Sequence, residues 1–165
     1  MNKQEILEEI EKTKEHLPNM EKMLKECKCE RWKPKEGEGF FIIDAWCRVC
    51  YKDYQEINIC CQEYYNTYNC FQTREQAEAE AEKILVRRQL EDIARRLNKG
   101  EKIDWNNQQQ GKYSLYLSSN RNAIEWYSEK YRKIQGTVYC LDSNFYDVAI
   151  QEIGEERLKK YLRGE

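Results

Sequence analysis

Residues 73–100 have the sequence TREQAEAEAEKILVRRQLEDIARRLNKG, and this stretch predicts one long central helix. Thr73 is a favourable N-cap residue, and Gln76, three residues later, completes a capping box. Gly100 suits the left-handed turn that ends many helices. Both ends of the helix are therefore marked in the sequence.

The apolar residues of this helix change face halfway along it. At about 100° per residue, a first group lies on one side of the helix and a second group on nearly the opposite side. The first group is Ala77, Ala81, Ile84 and Leu85, and the second is Val86, Leu90, Ile93, Ala94 and Leu97. A helix that packs on a single layer needs one apolar stripe. We therefore expect each half of the helix to pack against a different part of the protein.

Length and composition favour one domain, or one domain with an added helix. The chain has 165 residues, 35% of them charged, with a formal net charge of −2 and a pI of about 5.7. This balance predicts neither a strongly basic nor a strongly acidic surface. No apolar run is long enough to span a membrane and no apolar segment follows Met1, so we expect a cytosolic protein. Its eight cysteines should then stay reduced.

Residues 1–31 are predicted to form a separate N-terminal helix. Their apolar residues repeat with a 4-3-4-3 spacing for about three heptads, as in a coiled coil. The seam that would mediate self-association includes Ile6, Ile10, Leu17, Met20 and Leu24. Because the seam keeps its phase across Pro18, we expect this proline to kink the helix and not to divide it. A homodimer through the seam and an amphipathic helix lying on its own domain are the two alternatives.

Residues 32–165 are predicted to form an α+β domain of two tandem units, at about 38–99 and 104–163. The expected fold class is therefore α+β, with the coiled-coil-like helix followed by two antiparallel β-β-(β)-α units around the central helix. Strands are predicted at 40–44, 48–54, 112–118, 123–127 and 137–141, and a third strand with a loop at 55–69. Ser143 should cap a last helix that ends at Gly154, and a short helical turn with Leu158 inward should follow.

The two predicted units resemble each other at a period of about 70 residues. Residues 69–84 and 139–154 match in role, with Cys70 corresponding to Cys140, followed in each case by a capping residue and a helix. Each segment also follows predicted strands. A tandem repeat explains why the central helix would have a different apolar face in each half.

Two close cysteine pairs form the clearest metal-binding pattern. Cys27 and Cys29 are one pair, and Cys47 and Cys50 are the other. Four thiolates in two pairs are the ligand set of a tetrahedral zinc site. In the competing interpretation, a strand through Cys47 and Cys50 directs them to opposite faces, and the protein binds no zinc and no other cofactor. The remaining cysteines are expected to be small core side chains.

A basic and aromatic segment between residues 121 and 133 predicts a surface that binds nucleic acid or another partner. Its members are Arg121, Trp126, Tyr127, Lys130, Arg132 and Lys133. In the central helix, by contrast, each arginine stands four residues from an acidic residue, the spacing of ion pairs on a helix surface. The sequence has no nucleophile motif, phosphate loop or histidine cluster, so it predicts no catalytic residue and a non-enzymatic protein.

Four parts of the sequence together resemble one family. They are Trp32-Lys33-Pro34, the segment from Cys70 to Glu78, the loop Asp104-Trp105-Asn106, and the segment from Ala149 to Leu162. With these features the chain resembles small accessory proteins carried by phages and prophages of Gram-positive gut bacteria. The resemblance implies a protein that binds and blocks a host protein or ribonucleoprotein in the bacterial cytoplasm, as anti-CRISPR proteins do. Nucleic-acid binding through the 121–133 segment is the alternative.

Overall fold

A computed structural model describes residues 31–165. The predicted self-association seam and the first cysteine pair, Cys27 and Cys29, lie outside the described residues. The coiled-coil-like helix and its homodimer therefore stay predictions, as do the proposed domain boundaries. Residues Pro34–Glu165 form one compact unit.

Within the described residues the fold is mixed, with four helices and two antiparallel two-stranded sheets, as the α+β class predicts. In chain order the elements are β1 (Gly39–Ile43), β2 (Val49–Asp53), α1 (Ile59–Asn66), α2 (Arg74–Leu97), β3 (Lys112–Ser118), β4 (Ala123–Glu129), α3 (Phe145–Ile153) and α4 (Glu155–Arg163). β1 pairs with β2, and β3 pairs with β4. None of the helices in this part of the chain is long and apolar enough to cross a membrane.

The central helix α2 is continuous and has the predicted N-cap, but it ends one residue earlier than Gly100 would place it, with Asn98 as C-cap. The Thr73 side chain accepts a hydrogen bond from the Gln76 N–H, and the Gln76 side chain accepts one from the Thr73 N–H, each at 3.3 Å. These two bonds are the capping box. Leu97 is the last helical residue, and after Asn98 both Lys99 (φ of 49°) and Gly100 (φ of 87°) are left-handed, so the turn that ends α2 begins at Lys99 and not at the predicted Gly100.

Each half of α2 belongs to a different apolar cluster, which confirms the predicted change of face. In the first half, Ala77 and Ala81 pack with Ile43 and Cys47 of the first hairpin. In the second half, Val86, Leu90, Ile93 and Ala94 pack with buried residues from the rest of the chain. Those residues are Leu115, Ile124, Cys140, Phe145, Ala149, Ile153 and Leu158. One helix therefore contributes to both cores.

The sequence predicted that Leu85 faces inward, but in the structure it does not. Its neighbour Ile84 packs against the first cluster, whereas 36% of the Leu85 surface is exposed. Successive helical residues turn by about 100°, so a residue directly after Ile84 points away from the hairpin. Leu85 lies at the crossover between the two stripes.

Residues 55–69 do not contain the third strand predicted from the alternation of Ile57, Ile59 and Cys61. They contain helix α1, whose N-cap Asn58 accepts a hydrogen bond from the Cys60 N–H at 2.9 Å. Of those three alternating positions only Cys61 is buried. The cap satisfies an N–H group of the first helical turn, and this local bond outweighs the β propensity of the isoleucines.

The strand predicted at 137–141 is reduced to a single bridge between Tyr113 and Cys140. The Ser114 hydroxyl donates to the Val138 carbonyl at 2.9 Å, which takes that carbonyl out of a regular ladder. A matching bridge in the first half of the chain joins Phe41 of β1 to Phe71.

The last two helices lie close to their predicted positions. Asn144, and not the predicted Ser143, is the N-cap of α3, and its side chain makes no capping bond. Asp142 organises this turn, because its carboxylate accepts the Asn144 N–H at 2.8 Å. Gly154, with φ of 93°, separates α3 from α4, and Leu158 of α4 is buried as predicted.

Candidate macromolecule-binding surfaces

The turn between β1 and β2 presents an exposed tryptophan. We call residues 44–48 the hairpin tip. Trp46 is 73% exposed, and the guanidinium carbon of Arg48 lies 4.9 Å from the centroid of its ring, a cation–π contact. Large aromatic and arginine side chains at the surface are the residues that most often carry binding energy at protein interfaces.

Asp44 holds the hairpin tip through three hydrogen bonds. Its Oδ1 accepts from the backbone N–H groups of Trp46 and Arg48, each at 2.9 Å, and its Oδ2 accepts from Arg48 Nε at 2.8 Å. Burial opposes ionisation of this carboxyl, but the hydrogen bonds from Arg48 and Trp46 outweigh burial and hold the pKa of Asp44 below its usual value. Asp44 therefore fixes the backbone of Trp46 and the side chain of Arg48, and Arg48 is the contact that holds the Trp46 ring.

Cys47 joins the hairpin tip to the core. It has a left-handed φ of 60°, and its side chain packs with Ile43 and Ala77. Arg88 Nη1 of α2 donates to Cys47 Sγ at 3.0 Å. The exposed Trp46 thus stands beside a residue that is anchored on α2.

The second cysteine pair of the zinc pattern is divided between the faces of the first hairpin. Cys50 is in register with Ile42, whereas Cys47 packs on the face of Ile43. Adjacent positions of a strand point to opposite faces, so Cys47 and Cys50 do too. No cluster of metal-ligating side chains occurs within residues 31–165. Because Cys27 and Cys29 lie outside that range, zinc binding stays a prediction.

The predicted basic segment is divided between the two ends of β4. Arg121 lies before the strand, and Lys130, Arg132 and Lys133 lie after it. A strand of seven residues spans roughly 23 Å at about 3.3 Å per residue. Arg121 therefore does not add to the positive charge of the other three.

The cationic side chains after β4 form no salt bridges within residues 31–165, unlike most arginines of α2, although the pKa of Glu129 is lowered by the backbone N–H of Tyr131 and also by Arg132. Lys130, Arg132 and Lys133 are exposed and form no salt bridge in the part of the chain that the structure describes. Of the pairs that the four-residue spacing predicted in α2, Arg87–Glu91 and Arg96–Asp92 form. Arg95 pairs instead with Asp92, three residues away, and Arg88 bonds to Cys47 Sγ and not to Asp92. The α2 pairs are Arg74–Glu78, Arg87–Glu91, Arg95–Asp92 and Arg96–Asp92. Arg121 is likewise paired, with Glu125 at 3.4 Å.

The two predicted stacking residues of β4 lie on different faces of the second hairpin. Trp126 is in register with Leu115, and Tyr127 with Ser114. Trp126 is 52% exposed, with its ring centroid 5.7 Å from that of Tyr113. Burial and the neighbouring Tyr139 raise the pKa of Tyr127 to about 12. Trp126 is thus available to a partner, whereas Tyr127 is a neutral, half-buried packing residue.

Sequence reasoning missed a fully buried lysine beside the loop before β3. Lys112 is 0% exposed, and its Nζ donates to the carbonyls of Asn107 at 3.0 Å and Gln110 at 2.8 Å. The same Nζ lies 5.4 Å from the ring centroid of Trp105, which packs edge-on against Tyr139 at 4.9 Å. Trp105 thus docks its loop onto the rest of the domain, and Lys112 acts as a structural residue.

A cleft of about 310 Å³ lies between α2 and α4. Lys83 Nζ donates to the Gly164 carbonyl at 2.5 Å, and Arg157 Nε donates to Glu82 Oε1 at 2.6 Å. These bonds connect the two helices across the cleft. The side chains of Glu82, Lys83 and Arg157 in its walls are therefore engaged in holding α4 on α2.

Comparisons of the chain with protein-family models, with curated proteins and with solved structures find no match.

Proposed function

We propose that this chain is a non-enzymatic accessory protein of a phage or prophage that binds a host protein or ribonucleoprotein in the bacterial cytoplasm. Its effect would be to inhibit a host defence, in the manner of an anti-CRISPR protein. The observation that supports binding is the hairpin tip, with Trp46 exposed and stacked on Arg48. The phage setting is supported by the sequence resemblance.

The hydrogen bonds of Asp44 strengthen this proposal. A side chain that is mobile before binding loses conformational entropy when it is immobilised at an interface, and a side chain already held loses less. Asp44 holds the Arg48 side chain, and the Arg48 guanidinium in turn lies against the Trp46 ring in the unbound chain. Hot-spot residues are enriched in tryptophan and arginine, so this pair is the part of the described surface best suited to a protein partner.

We also propose that the fold consists of two tandem β-β-α units, preceded by the coiled-coil-like helix as a dimerisation element. The bridges Phe41–Phe71 and Tyr113–Cys140 occupy equivalent places, each between the first strand of a hairpin and the segment just before a helix, α2 in one case and α3 in the other. The half of α2 that packs on the first hairpin would belong to the first unit.

Affinity capture from a lysate of a Gram-positive gut bacterium tests the protein target. The variants are Trp46→Ala and, as a matched control, Trp126→Ala, which removes an exposed tryptophan from the other hairpin. We expect Trp46→Ala to weaken binding of the captured protein at least about tenfold, because loss of a hot-spot residue is worth more than about 1.4 kcal/mol. Trp126→Ala should bind as the wild type does. Equal affinity of the wild type and Trp46→Ala would refute the hairpin tip as the binding site.

Nucleic-acid binding is the second candidate function, and the unpaired cations after β4 favour it. Lys130, Arg132 and Lys133 stand beside Tyr131, which is 71% exposed. Cations that contact phosphates release counterions, so the logarithm of affinity falls with the logarithm of salt concentration, by about 0.7 per contact for single strands.

The test replaces all three of these lysine and arginine residues with alanine and measures binding to random-sequence single-stranded DNA at two salt concentrations. The control variant replaces Arg87, Arg95 and Arg96 of α2, which are engaged in salt bridges. Nucleic-acid binding predicts that the first variant loses affinity and that its salt slope falls by about 2, whereas the control changes neither. Absence of DNA binding at low salt leaves the protein target as the proposal.

A further inference from the structure

The first sheet has one closed edge. The N–H and C=O groups of Phe41 in β1 bond to Phe71 at 3.0 and 2.9 Å. The amide of Asn69 bonds to both backbone groups of Ile43, accepting from its N–H at 2.8 Å and donating to its carbonyl at 2.7 Å. A bridge and a side chain thus satisfy the outward-facing backbone groups of these two β1 residues.

The opposite edge of the sheet, along β2, is open within residues 31–165, where no strand lies beside it. The Asp44 N–H donates to the Arg48 carbonyl at 2.9 Å, which shows that Arg48 points its backbone groups toward β1. By the register of the sheet, the even-numbered residues of β2 do the same. In an antiparallel pair every second residue points its backbone groups away from the neighbouring strand, and in β2 these residues are Val49, Tyr51 and Asp53. The Asp53 carbonyl accepts a hydrogen bond from Cys61 Sγ at 3.7 Å, so the open positions are Val49 and Tyr51. Within the described residues these outward groups have no hydrogen-bond partner.

Aromatic surface borders the open edge without covering it. Tyr51 is 58% exposed, and its ring centroid lies 5.5 Å from that of Phe41. A Cβ atom at Gly39 would overlap the Tyr51 ring, so the ring lies directly over that glycine. Lys52 is exposed on the other face of the strand.

We propose that the open edge of β2, at Val49 and Tyr51, binds an extended peptide segment of the partner protein as an added β-strand. An extended backbone supplies the alternating N–H and C=O groups that an open edge lacks. Apolar side chains of the peptide would lie beside Val49 and Tyr51, and an acidic side chain would pair with Lys52 on the other face. This inference rests on the proposed function, because Trp46 at the end of the same hairpin would contact the same partner.

A second copy of β2 fits this edge less well than a foreign peptide. In an antiparallel pair of two copies centred on Tyr51, Val49 of each copy would lie opposite Asp53 of the other, and Cys50 opposite Lys52. Both pairs set an apolar side chain against a charged one, which is not a stabilising cross-strand pair. In the register that sets Val49 opposite Tyr51, Arg48 of each copy would lie opposite Lys52 of the other, and like charges directly opposite are destabilising. The charge pattern of β2 therefore favours a partner with its own acidic and apolar alternation.

The test uses the full chain to select peptides of about twelve residues, longer than an average strand, from a random display library. Affinities are then measured for the selected peptides made synthetically. The matched variants are Tyr51→Pro and Tyr51→Val. Both remove the phenol ring, but only proline removes the outward N–H, and proline is tolerated at such positions of an edge strand. Circular dichroism checks that both variants fold.

We expect Tyr51→Pro to bind the peptides at least about tenfold more weakly than Tyr51→Val does, a loss typical of a missing interface hydrogen bond. Peptide binding should also slow amide hydrogen exchange at Val49 and Tyr51. Equal affinities of the two variants, protection confined to other residues, or failure to select any peptide would each overturn the proposal. A wild-type dimer that Tyr51→Pro dissociates would overturn it as well, since a second copy would then occupy the edge.

The peptide assay uses no host lysate, so its failure can be told apart from failure of the proposed function. Selected peptides that bind β2 while Trp46→Ala leaves target capture unchanged would reject the hairpin tip alone. Capture that depends on Trp46 while Tyr51→Pro and Tyr51→Val bind peptides equally would reject the edge proposal alone.

Discussion

At the scale of single residues, Asn69 takes the place of a strand at the edge of the first sheet. Replacing it with alanine leaves both backbone groups of the buried Ile43 without their partner. A buried group left unsatisfied costs about 1–3 kcal/mol, so we expect Asn69→Ala to lower the free energy of unfolding by at least that amount. Asn66→Ala, an exposed asparagine at the end of α1, should change it by less than about 0.5 kcal/mol. Urea denaturation measures both, and equal effects would contradict the role of Asn69.

The lowered pKa of Asp44 predicts that the conformation of the hairpin tip depends on pH. The pKa of Asp44 is lowered in the folded chain from the usual 3.8. The hydrogen bonds of its carboxylate therefore stabilise the hairpin tip fully above pH 3.8, and this stabilisation is lost as the pH falls through the lower pKa of the folded chain. We expect the NMR signal of the Trp46 indole N–H to titrate in this acidic window as Arg48 is released. In Asp44→Asn, which does not ionise, the titration should be absent. A wild-type signal that stays unchanged through the window would count against this account of the tip.

At the scale of elements, α2 depends on its apolar residues unequally. Leu90 is buried among the residues of the second cluster, whereas Leu85 is 36% exposed. Leu90→Ala should destabilise the fold by about 2–5 kcal/mol, through lost burial and the cavity left behind. Leu85→Ala makes the same chemical change at a site with little packing, so we expect less than about 1 kcal/mol. Thermal unfolding compares the two, and a Leu85→Ala effect as large as that of Leu90→Ala would contradict the described packing.

Elements that are determined by neighbouring residues in the sequence could be predicted, whereas elements that depend on a single cap or on distant residues could not. Thr73, Gln76 and the change of apolar face lie within one stretch of sequence, so α2 and its two packing partners could be predicted. Helix α1 was missed because the alternation of Ile57, Ile59 and Cys61 imitates a strand, and a single Asn58 cap decides against it. The strand expected at 137–141 failed for a non-local reason, since the hydroxyl that takes its carbonyl comes from β3.

The candidate sites, too, have some features that the local sequence indicates and others that depend on the folded structure. An aspartate that precedes a short turn is a known signal for side-chain bonding to the next backbone N–H groups, so the Asp44-Ala45-Trp46 sequence could have pointed to the hairpin tip. The stacking of Arg48 on Trp46 requires the turn geometry itself. Residues 121–133 are close in sequence, but β4 separates their charges along its length and their aromatic rings on its two faces.

At the scale of the molecule, α2 is the element that both clusters share. Ala77 and Ala81 complete the first cluster, and Leu90 and Ile93 complete the second. A helix gains stability cooperatively along its length, so the loss of one half exposes apolar residues and weakens the other half. The two clusters should therefore behave as one folding unit even though each contains its own hairpin.

We accordingly expect one unfolding transition for residues 34–165, reported equally by a thiol in each cluster. Cys47 is buried in the first cluster and Cys140 in the second, so pulsed thiol labelling in increasing urea, read for each cysteine by mass spectrometry, follows both in the unmodified chain. The two midpoints should coincide. Gln89→Pro, in the exposed middle of α2, should cost about 3 kcal/mol or more and separate the midpoints, whereas Gln89→Ala should keep them together. Separate midpoints in the wild type would mean that the two halves fold independently, and α2 would then connect two domains without coupling them.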